Sequence, residues 1–337
     1  MVRLKDIAER ASVSVMTVSK ALRDEPDVSA ATKVRLKQLA QEMGYVPDST
    51  AQGLRTRTTK LFGLVLPSTT DPIFARVMMA IDERAHELGY EILFVQTLNS
   101  VEREELCLRR MLSRRVDGIF LSPVYRMEPD ARIYKELQVR NTPTVLLGPP
   151  AKFCSQFLSV HVDDVAAGYT AAQHLLSLGH RRIAFLSGPP SAPWSIDRFE
   201  GYRRALREAG LDVDDHLVFQ AGGTVEDGAR AATQMLNEGF KATAIQAVND
   251  LVAVGCANAM LNQGLKIPDD VSVTGFGNIL TSEYFRVPLT TIRQPKFRLG
   301  MAAMDIMQQL LRQQPAESRR LPADLIVRAS TGPAKAS

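Results

Sequence analysis

The chain has 337 residues, of which 45% are hydrophobic and 23% charged; these ordinary globular values exclude wholesale disorder and, at about 150 residues per domain, predict two or three domains. Its apolar stretches fall far short of the roughly 20 residues that cross a bilayer, and its N-terminus is charged where a signal peptide would be apolar. Because the three cysteines are scattered and show no metal-ligand spacing, we expect a reduced, cytoplasmic protein that holds no metal or cofactor and contacts no membrane.

The positive charge is concentrated at the N-terminus. The formal net charge is +4, and residues 1–60 contain 11 Lys and Arg against 7 Asp and Glu, so the rest of the chain is neutral. A basic head on a neutral body favours a polyanionic partner for the head alone. Chance clustering is the alternative, since an excess of four charges over this length is modest.

Three short helices are predicted within the first 47 residues. Apolar residues recur at i, i+3, i+4 and i+7 over 4–11, Ser14 is a good N-cap for a helix that runs to residue 22, and Ser29 begins a third helix that stops at Gly44. Two helices joined by a tight turn and braced by a third form a helix-turn-helix, whose second helix lies in the DNA major groove.

The residue types of this segment suit contact with DNA. Lys20 can donate to guanine O6 and N7, and Val15 and Met16 offer apolar surface to thymine methyl groups. Short hydroxyl side chains suit phosphate oxygens. The predicted contacts are Leu4, Ser14, Val15, Met16, Thr17, Ser19, Lys20, Ser29 and Thr32. The alternative is that the serines and threonines are only caps in a small helical bundle.

From residue 61 the pattern changes to strands that alternate with helices. The apolar runs are FGLVLP (62–67), EILFVQ (91–96), DGIFLSP (117–123), PTVLLG (143–148), LSVHVD (158–163) and RIAFLSG (182–188), with helical stretches around 74–88, 101–113 and 165–178. Strands separated by helices of 10–15 residues predict parallel sheets. The length allows two such lobes, and a ligand is then expected in the cleft at the carboxyl ends of the strands.

Motifs of catalysis are absent from the sequence. GFGNIL (275–280) lacks the third glycine of a dinucleotide fingerprint, and there is no P-loop, HExxH or GxSxG. The five histidines show no ligand spacing. We therefore do not expect an enzyme, although a catalytic α/β protein remains one competing class.

The sequence resembles the lactose-repressor (LacI/GalR) family. The stretch from LKDIAERASVS through TVSKAL and GYVP to AQGLR resembles that family's DNA-binding headpiece almost position for position. DPIF (71–74), RRVDGIFLSP (114–123), RFEGYRRAL (198–206), NDLVAVG (249–255) and PLTTIRQP (288–295) extend the resemblance over nearly the whole chain. It implies an α helix-turn-helix headpiece followed by an α/β body of two doubly wound parallel-sheet lobes, like a type I periplasmic-binding-protein fold.

The resemblance also implies a division of the chain. We expect a headpiece over 1–47, a hinge helix and linker over 48–60, and an effector-binding and dimerisation domain over 61–332. Within that domain the expected N-lobe is 61–161 plus 292–320 and the expected C-lobe is 162–291 plus 321–332. The chain would cross between lobes near 161–162, 291–292 and 320–322.

The hinge is expected to order only with DNA. A helix containing Ala51, Leu54 and Arg55 is too short to be stable alone, and Gly53 weakens it by about 1 kcal/mol. The resemblance implies that two such helices pack in the minor groove, where Leu54 wedges between base pairs and Arg55 reaches into the groove. A flexible linker is the alternative.

Seven residues are expected at the effector site: five match the family's pattern, and Trp194 and Asn278 are expected beside them. The set is Asp71, Phe74, Trp194, Arg198, Asn249, Asp250 and Asn278. For each, a helix cap or a structural ion pair is the alternative; Trp194 is proposed only as a replacement stacking face.

Three positions depart from the family's pattern, and these departures argue against the sugar ligand that is usual in the family. Gly148 and Gly277 stand where relatives usually carry aspartates, and Gly223 stands where several carry an aromatic residue. The loss of acceptors and of side-chain volume predicts a wider cleft. A larger or less hydroxylated ligand, or weak effector control, is therefore expected.

The leading interpretation is a DNA-binding transcriptional repressor that binds a pseudo-palindromic double-stranded operator as a homodimer and responds to a small-molecule effector. The expected dimer face is the outer surface of both lobes, including 74–88 and 278–286, with Tyr284 and Phe285 as exposed aromatic candidates. The short tail after Pro333 has no heptad repeat, which favours a dimer over a tetramer. A small-molecule-binding protein whose head has lost its DNA function is the other competing class.

Overall fold

The N-terminal part of the molecule is a three-helix headpiece. The computed structural model describes residues 2–46 and 58–335, and it separates a unit that ends at Thr59 from a body that begins at Lys60. Helix α1 spans Leu4–Ala11, α2 spans Val15–Leu22 and α3 spans Ala30–Glu42. This confirms the three predicted helices and their helix-turn-helix order.

Helix caps and a small apolar core hold the headpiece together. The Oγ atom of Ser14 accepts from the backbone N–H of Thr17 at 3.0 Å, and Ser29 does the same for Thr32 at 3.3 Å. The buried core consists of Ile7, Ala8, Val18, Ala21, Leu36 and Ala40. The hinge residues Ala51, Leu54 and Arg55 lie outside the described residues.

The first lobe of the body is a six-stranded parallel sheet in the order β11-β5-β4-β3-β1-β2. Its strands are β1 (Leu61–Leu66), β2 (Glu91–Gln96), β3 (Gly118–Leu121), β4 (Thr144–Leu147), β5 (Leu158–Val162) and β11 (Arg319–Leu321). Its helices are α4 (Pro72–Glu87), α5 (Val101–Arg114), α6 (Arg132–Val139) and α12 (Lys296–Leu311). Leu64 belongs to the core under α4 and α12, and Val65 to the core under α5 and α6. Because both faces of the sheet are covered, β1 and β3 carry no polar side chain at any position, where a strand with one exposed face would alternate.

The second lobe repeats this design in the order β12-β10-β9-β8-β6-β7, with only β12 antiparallel to its neighbour. Its strands are β6 (Ile183–Ser187), β7 (Val218–Gln220), β8 (Ala244–Ala247), β9 (Ser272–Gly277), β10 (Thr290–Arg293) and β12 (Asp324–Ile326). Its helices are α7 (Asp164–Ser177), α8 (Pro193–Glu208), α9 (Val225–Asn237), α10 (Asp250–Asn262) and α11 (Leu280–Tyr284).

The chain passes between the two lobes three times. It leaves the first sheet after Val162, returns after Arg293, and leaves again after Leu321. The expected crossings at 161–162, 291–292 and 320–322 lie within two residues of these points. Residues 292 and 293, assigned above to the N-lobe, belong to β10 of the second sheet because they continue its parallel pairing with β9. Residues 162 and 321, assigned above to the C-lobe, belong to β5 and β11 of the first sheet, where they pair with each other.

Helices α7 and α8 touch through their backbones. A Cβ atom on Gly201 would lie 2.2 Å from the carbonyl oxygen of Val165, and one on Gly168 would lie 2.4 Å from that of Arg198. Any larger residue would therefore push the helices apart. This close approach sets the position of Arg198 on α8 relative to Asp164 at the start of α7.

Candidate functional site

Helix α2 presents an exposed apolar face at its start. Val18 and Ala21 point into the headpiece core, whereas Val15 and Met16 are 44% and 63% exposed. The hydroxyl of Thr17 lies 2.9 Å from that of Ser14, so both are engaged in the cap. Exposed apolar side chains beside a basic residue form a surface that suits base edges and thymine methyl groups.

The polar residues expected at the DNA that lie within 2–46 all have partners in the headpiece. Lys20 forms an ion pair with Asp27, Ser19 accepts from Arg23, and the hydroxyls of Ser29 and Thr32 lie 2.8 Å apart. Leu4 is half-buried and packs against the headpiece core. Its side chain therefore has a structural role in the headpiece besides the expected contact with DNA.

A cavity of about 680 Å³ lies between the two lobes. It is bounded by the loops that follow β1, β3 and β4 on one side and β6 and β8 on the other, so the carboxyl ends of both sheets face it. The expected residues Asp71, Phe74, Trp194, Arg198, Asn249 and Asp250 all border it. Asn278 is not among its lining residues; its Oδ1 atom accepts instead from Arg328 at 2.8 Å.

Arg198 is held rigidly at the floor of the cleft. Its Nε donates to Oδ1 of Asp164 at 2.8 Å and its Nη1 donates to the carbonyl oxygen of Val248 at 2.7 Å. Its guanidinium carbon lies 3.5 Å from the ring centre of Phe276 and 4.8 Å from that of Trp194. The planar cation is thus enclosed by an anion and two aromatic rings, an arrangement that suits arginine and not lysine.

The carboxylates at the cleft are desolvated. Burial raises the pKa of Asp164, and the charge of Arg198 opposes that rise. Burial likewise raises the pKa of Asp71, which caps α4 by accepting from the N–H of Ile73 at 3.0 Å. Asp71 therefore fixes the start of the helix that also carries Phe74.

Asn249 and Asp250 have structural partners as well as a place in the cleft wall. Asn249 caps α10 and donates from Nδ2 to the carbonyl oxygen of Gly223 at 3.0 Å. Asp250 accepts from the Thr291 hydroxyl at 2.5 Å, the Ser282 hydroxyl at 2.7 Å and the Ile279 N–H at 2.9 Å. Both of its oxygens are therefore occupied by protein donors.

The three glycines do not widen the cleft equally. Gly148 and Gly277 have φ of +143° and +137°, which L side chains rarely adopt. The Tyr125 hydroxyl lies 2.7 Å from where a Cβ atom of Gly148 would be, so Tyr125 fills that space. At Gly223 the nearest atom would be 3.9 Å away, and only there among the three does the expectation of extra room fit the structure.

The buried carboxylate of Glu104, which the sequence analysis does not single out, holds the segment around Tyr125 in place. Oε1 of Glu104 accepts from the N–H of Val124 at 2.7 Å and from the hydroxyl of Tyr134 at 2.8 Å, and Oε2 pairs with Arg126. Both chain neighbours of Tyr125 are thus anchored to α5. The Tyr125 hydroxyl donates to the carbonyl oxygen of Pro149 at 2.8 Å, which closes this corner of the cleft.

Two sets of hydrogen bonds join the lobes across the cleft. The Ser191 hydroxyl of the second lobe donates to the carbonyl oxygen of Tyr125 at 3.3 Å. From the first lobe, Nζ of Lys296 donates to the carbonyl oxygens of Gly277 at 2.6 Å and Asn278 at 2.8 Å. Burial lowers the pKa of Lys296.

The expected dimer face is partly apolar. Tyr284 and Leu280 are both 76% exposed. Phe285, expected to be an exposed aromatic, is instead half-buried against the core of the second lobe, because the chain turns inward after α11.

Among the described residues, no helix is both long and apolar enough to cross a membrane.

A helix-turn-helix headpiece joined to a two-lobed body with an interlobe cavity defines a DNA-binding regulator with a ligand-binding domain. Residues 3–48 match the description "Bacterial regulatory proteins, lacI family", and residues 172–331 match "Periplasmic binding protein-like domain".

Relatives of known function are similar over their whole length. The HTH-type transcriptional repressor CytR of Escherichia coli K12 is 31% identical over 330 residues, covering 97% of this chain and 96% of CytR. The regulator DegA of Bacillus subtilis is 32% identical over 330 residues, covering 97% of each chain. The lac repressor dimer bound to operator and the anti-inducer ONPF has a TM-score of 0.87 at 28% identity, covering 98% of this chain and 99% of that one.

The chain therefore belongs to the lacI family of bacterial regulatory proteins. It is a DNA-binding transcriptional repressor of that family with a periplasmic-binding-protein-like ligand domain.

Proposed function

We propose that the chain acts as a homodimer that binds a pseudo-palindromic DNA operator, and that a small molecule in the interlobe cleft changes its affinity for that operator. The exposed apolar and basic face of α2 carries the proposal. The operator-bound lac repressor dimer among the similar structures supports the dimer and the operator. A two-fold dimer places two headpieces on half-sites related by the same symmetry.

The headpiece residues divide by role in this proposal. Val15, Met16 and Lys20 contact bases, because they form the exposed part of α2. The hydroxyls of Thr17, Ser19, Ser29 and Thr32, with the cap at Ser14, fix the register on phosphates. Ala51, Leu54 and Arg55 act in the minor groove.

A gel-shift titration of the full chain tests the DNA-binding part. A duplex library with a random core is bound at low salt, selected and sequenced; we expect a pseudo-palindrome whose log affinity falls linearly with log salt. Lys20→Ala should weaken binding to it by about 1–3 kcal/mol and relax one base position. Lys241→Ala removes an exposed lysine of the body and is the matched control. Failure to retard or select any sequence at low salt contradicts the proposal.

For the cleft we propose a ligand with an apolar face and few hydroxyl groups, not a simple hexose. By the resemblance, Gly148 and Gly277 stand in place of acceptor side chains, and the oxygens of Asp250 already bind protein donors. Phe74, Tyr125 and Trp194 border the cavity with aromatic surface. With such a lining, buried apolar area of the ligand contributes more to the binding free energy than its hydroxyl groups do.

The single tryptophan makes this testable. Trp194 fluorescence is followed while glucose, cellobiose and a set of monocyclic and bicyclic aromatic compounds are added, and hits are confirmed by calorimetry. We expect aromatic compounds to bind and Phe74→Ala to weaken them at least tenfold, whereas Phe297→Ala, which removes an exposed ring outside the cavity lining, leaves affinity unchanged. Micromolar binding of free glucose that Arg198→Ala abolishes contradicts the proposed ligand class.

A further inference from the structure

The lysine of the recognition helix is paired with a carboxylate from the following turn. Nζ of Lys20 contacts Oδ2 of Asp27 seven residues later, and both side chains are partly exposed. The hydrogen bond from Lys20 lowers the pKa of Asp27, so the carboxylate is ionised at neutral pH. The exposed edge of α2 therefore presents a donor and an acceptor side by side.

The other two acids of this turn have different partners: Glu25 pairs with Arg23 at 3.3 Å, and Asp24 reaches α3. Asp24 binds Nζ of Lys37 on α3, at 2.7 Å through Oδ1 and 2.6 Å through Oδ2. Its carbonyl oxygen accepts from Lys33 at 3.0 Å. Asp24 thus ties the turn to α3, away from α2, whereas Asp27 alone reaches the lysine of α2.

The chemistry of a G·C pair matches such a couple. In the major groove guanine presents two acceptors, O6 and N7, and cytosine presents the N4 amino donor. Lysine donates to the first and aspartate accepts from the second. An A·T pair presents these groups in a different order, because the adenine N6 donor lies between the N7 and O4 acceptors, so a lysine that binds the two adjacent acceptors of guanine has no equivalent site there.

We propose that Asp27 is a specificity-determining residue of the headpiece: with Lys20 it forms a donor–acceptor couple that recognises G·C pairs in each half-site. The proposal rests on the proposed function, since it requires α2 to lie in the major groove. A carboxylate at that surface also repels phosphates, so Asp27 lowers the affinity of Lys20 for DNA that lacks the matching pair. The couple contributes to discrimination more than to affinity.

Selection from the same random-core duplex library tests the role of Asp27. Wild type, Asp27→Asn and Asp24→Asn are compared in the full chain; each variant removes one negative charge from the same turn, but only the first touches Lys20. Both should bind random-sequence duplex a few-fold more tightly, because a charge that repels phosphates is lost. Only Asp27→Asn should also lose the preference for G·C at the base pair that Lys20 contacts, by at least about fivefold.

The outcomes separate the two proposals. If wild type selects no sequence, both the proposed function and the role of Asp27 are overturned. If wild type selects a pseudo-palindrome and Asp27→Asn retains the same preference as Asp24→Asn, only the role of Asp27 is overturned. Asp27→Ala is run in parallel, and a loss of G·C preference in both Asp27 variants but not in Asp24→Asn supports the couple.

Discussion

The buried ion pair beneath the cleft allows a direct test of how burial affects the contribution of a charge pair to the stability of the fold. Asp164 and Arg198 are 4% and 7% exposed, and their atoms meet at 2.8 Å. Asp164→Asn keeps the side-chain volume and an acceptor for Nε but removes the counterion. Arg198 then remains as a charge enclosed by Phe276 and Trp194.

The expected loss of stability is large because the charge cannot reach water. Removing one partner of a buried pair costs about 3–5 kcal/mol, and the retained acceptor brings this to about 2–3 kcal/mol. For a body of this size that corresponds to a fall in Tm of about 3–5 °C. Urea denaturation followed by Trp194 fluorescence measures the change in the free energy of unfolding, and calorimetry measures the change in Tm.

The body supplies a matched control on its surface. Arg293 and Asp324 form a pair of the same residue types at 2.9 Å, with side chains 53% and 67% exposed. Asp324→Asn should cost at most about 1 kcal/mol, because exposed pairs gain little in water. Equal losses for the two variants would refute the reasoning, since the pairs share chemistry and distance and differ in burial.

Three further predictions concern other features of the molecule. Gly201→Ala should destabilise the body by about 1–2 kcal/mol in urea, because the overlap with Val165 outweighs the roughly 1 kcal/mol gain in helix propensity; an unchanged or higher midpoint contradicts this. Asp227 has a pKa lowered to about 2, because the N–H groups of Gly223 and Thr224 donate to it and outweigh the opposing effect of burial. A lowered pKa in the folded state stabilises above pH 4, so Asp227→Asn should cost about 2 kcal/mol at pH 6 and progressively less as the pH falls from 4 towards 2, measured from urea midpoints; a constant difference refutes the assignment. Ser14→Ala should destabilise α2 by about 1 kcal/mol, seen as roughly fivefold faster amide hydrogen exchange in that helix of the full chain, with exchange in α3 as the internal reference.

The sheets were predictable from the sequence because their signal is local. In a parallel sheet covered on both faces, a run such as 61–66 contains no polar side chain and is followed by Pro67 and Ser68, which favour a turn. β2 was predicted with its observed bounds, and β1 to within one residue. The helix caps at Ser14 and Ser29 are equally local, since each cap is bonded to a residue three positions later.

The environment of the cleft residues was not predictable in the same way. Arg198 is paired with a residue 34 positions earlier, and Tyr125 occupies the space in front of Gly148. Glu104 lies in VEREELCLRR at i, i+3, i+4 and i+7 with Cys107, Leu108 and Met111, so helical spacing alone places it on the buried face. Its partners are not local, because Val124, Arg126 and Tyr134 reach it only when the loop after β3 folds back over α5.

The contacts that cross the cleft indicate what a ligand must do to act on the body. Ser191 and Lys296 donate to carbonyl oxygens of the opposite lobe. A ligand shifts the balance between this arrangement of the lobes and any other only by the difference between its affinities for them. A ligand that bridges the lobes favours closure, whereas one too large for the cavity must break these two contacts. Ligand size relative to a cavity of about 680 Å³ thus bears on the sign of the response as well as on affinity.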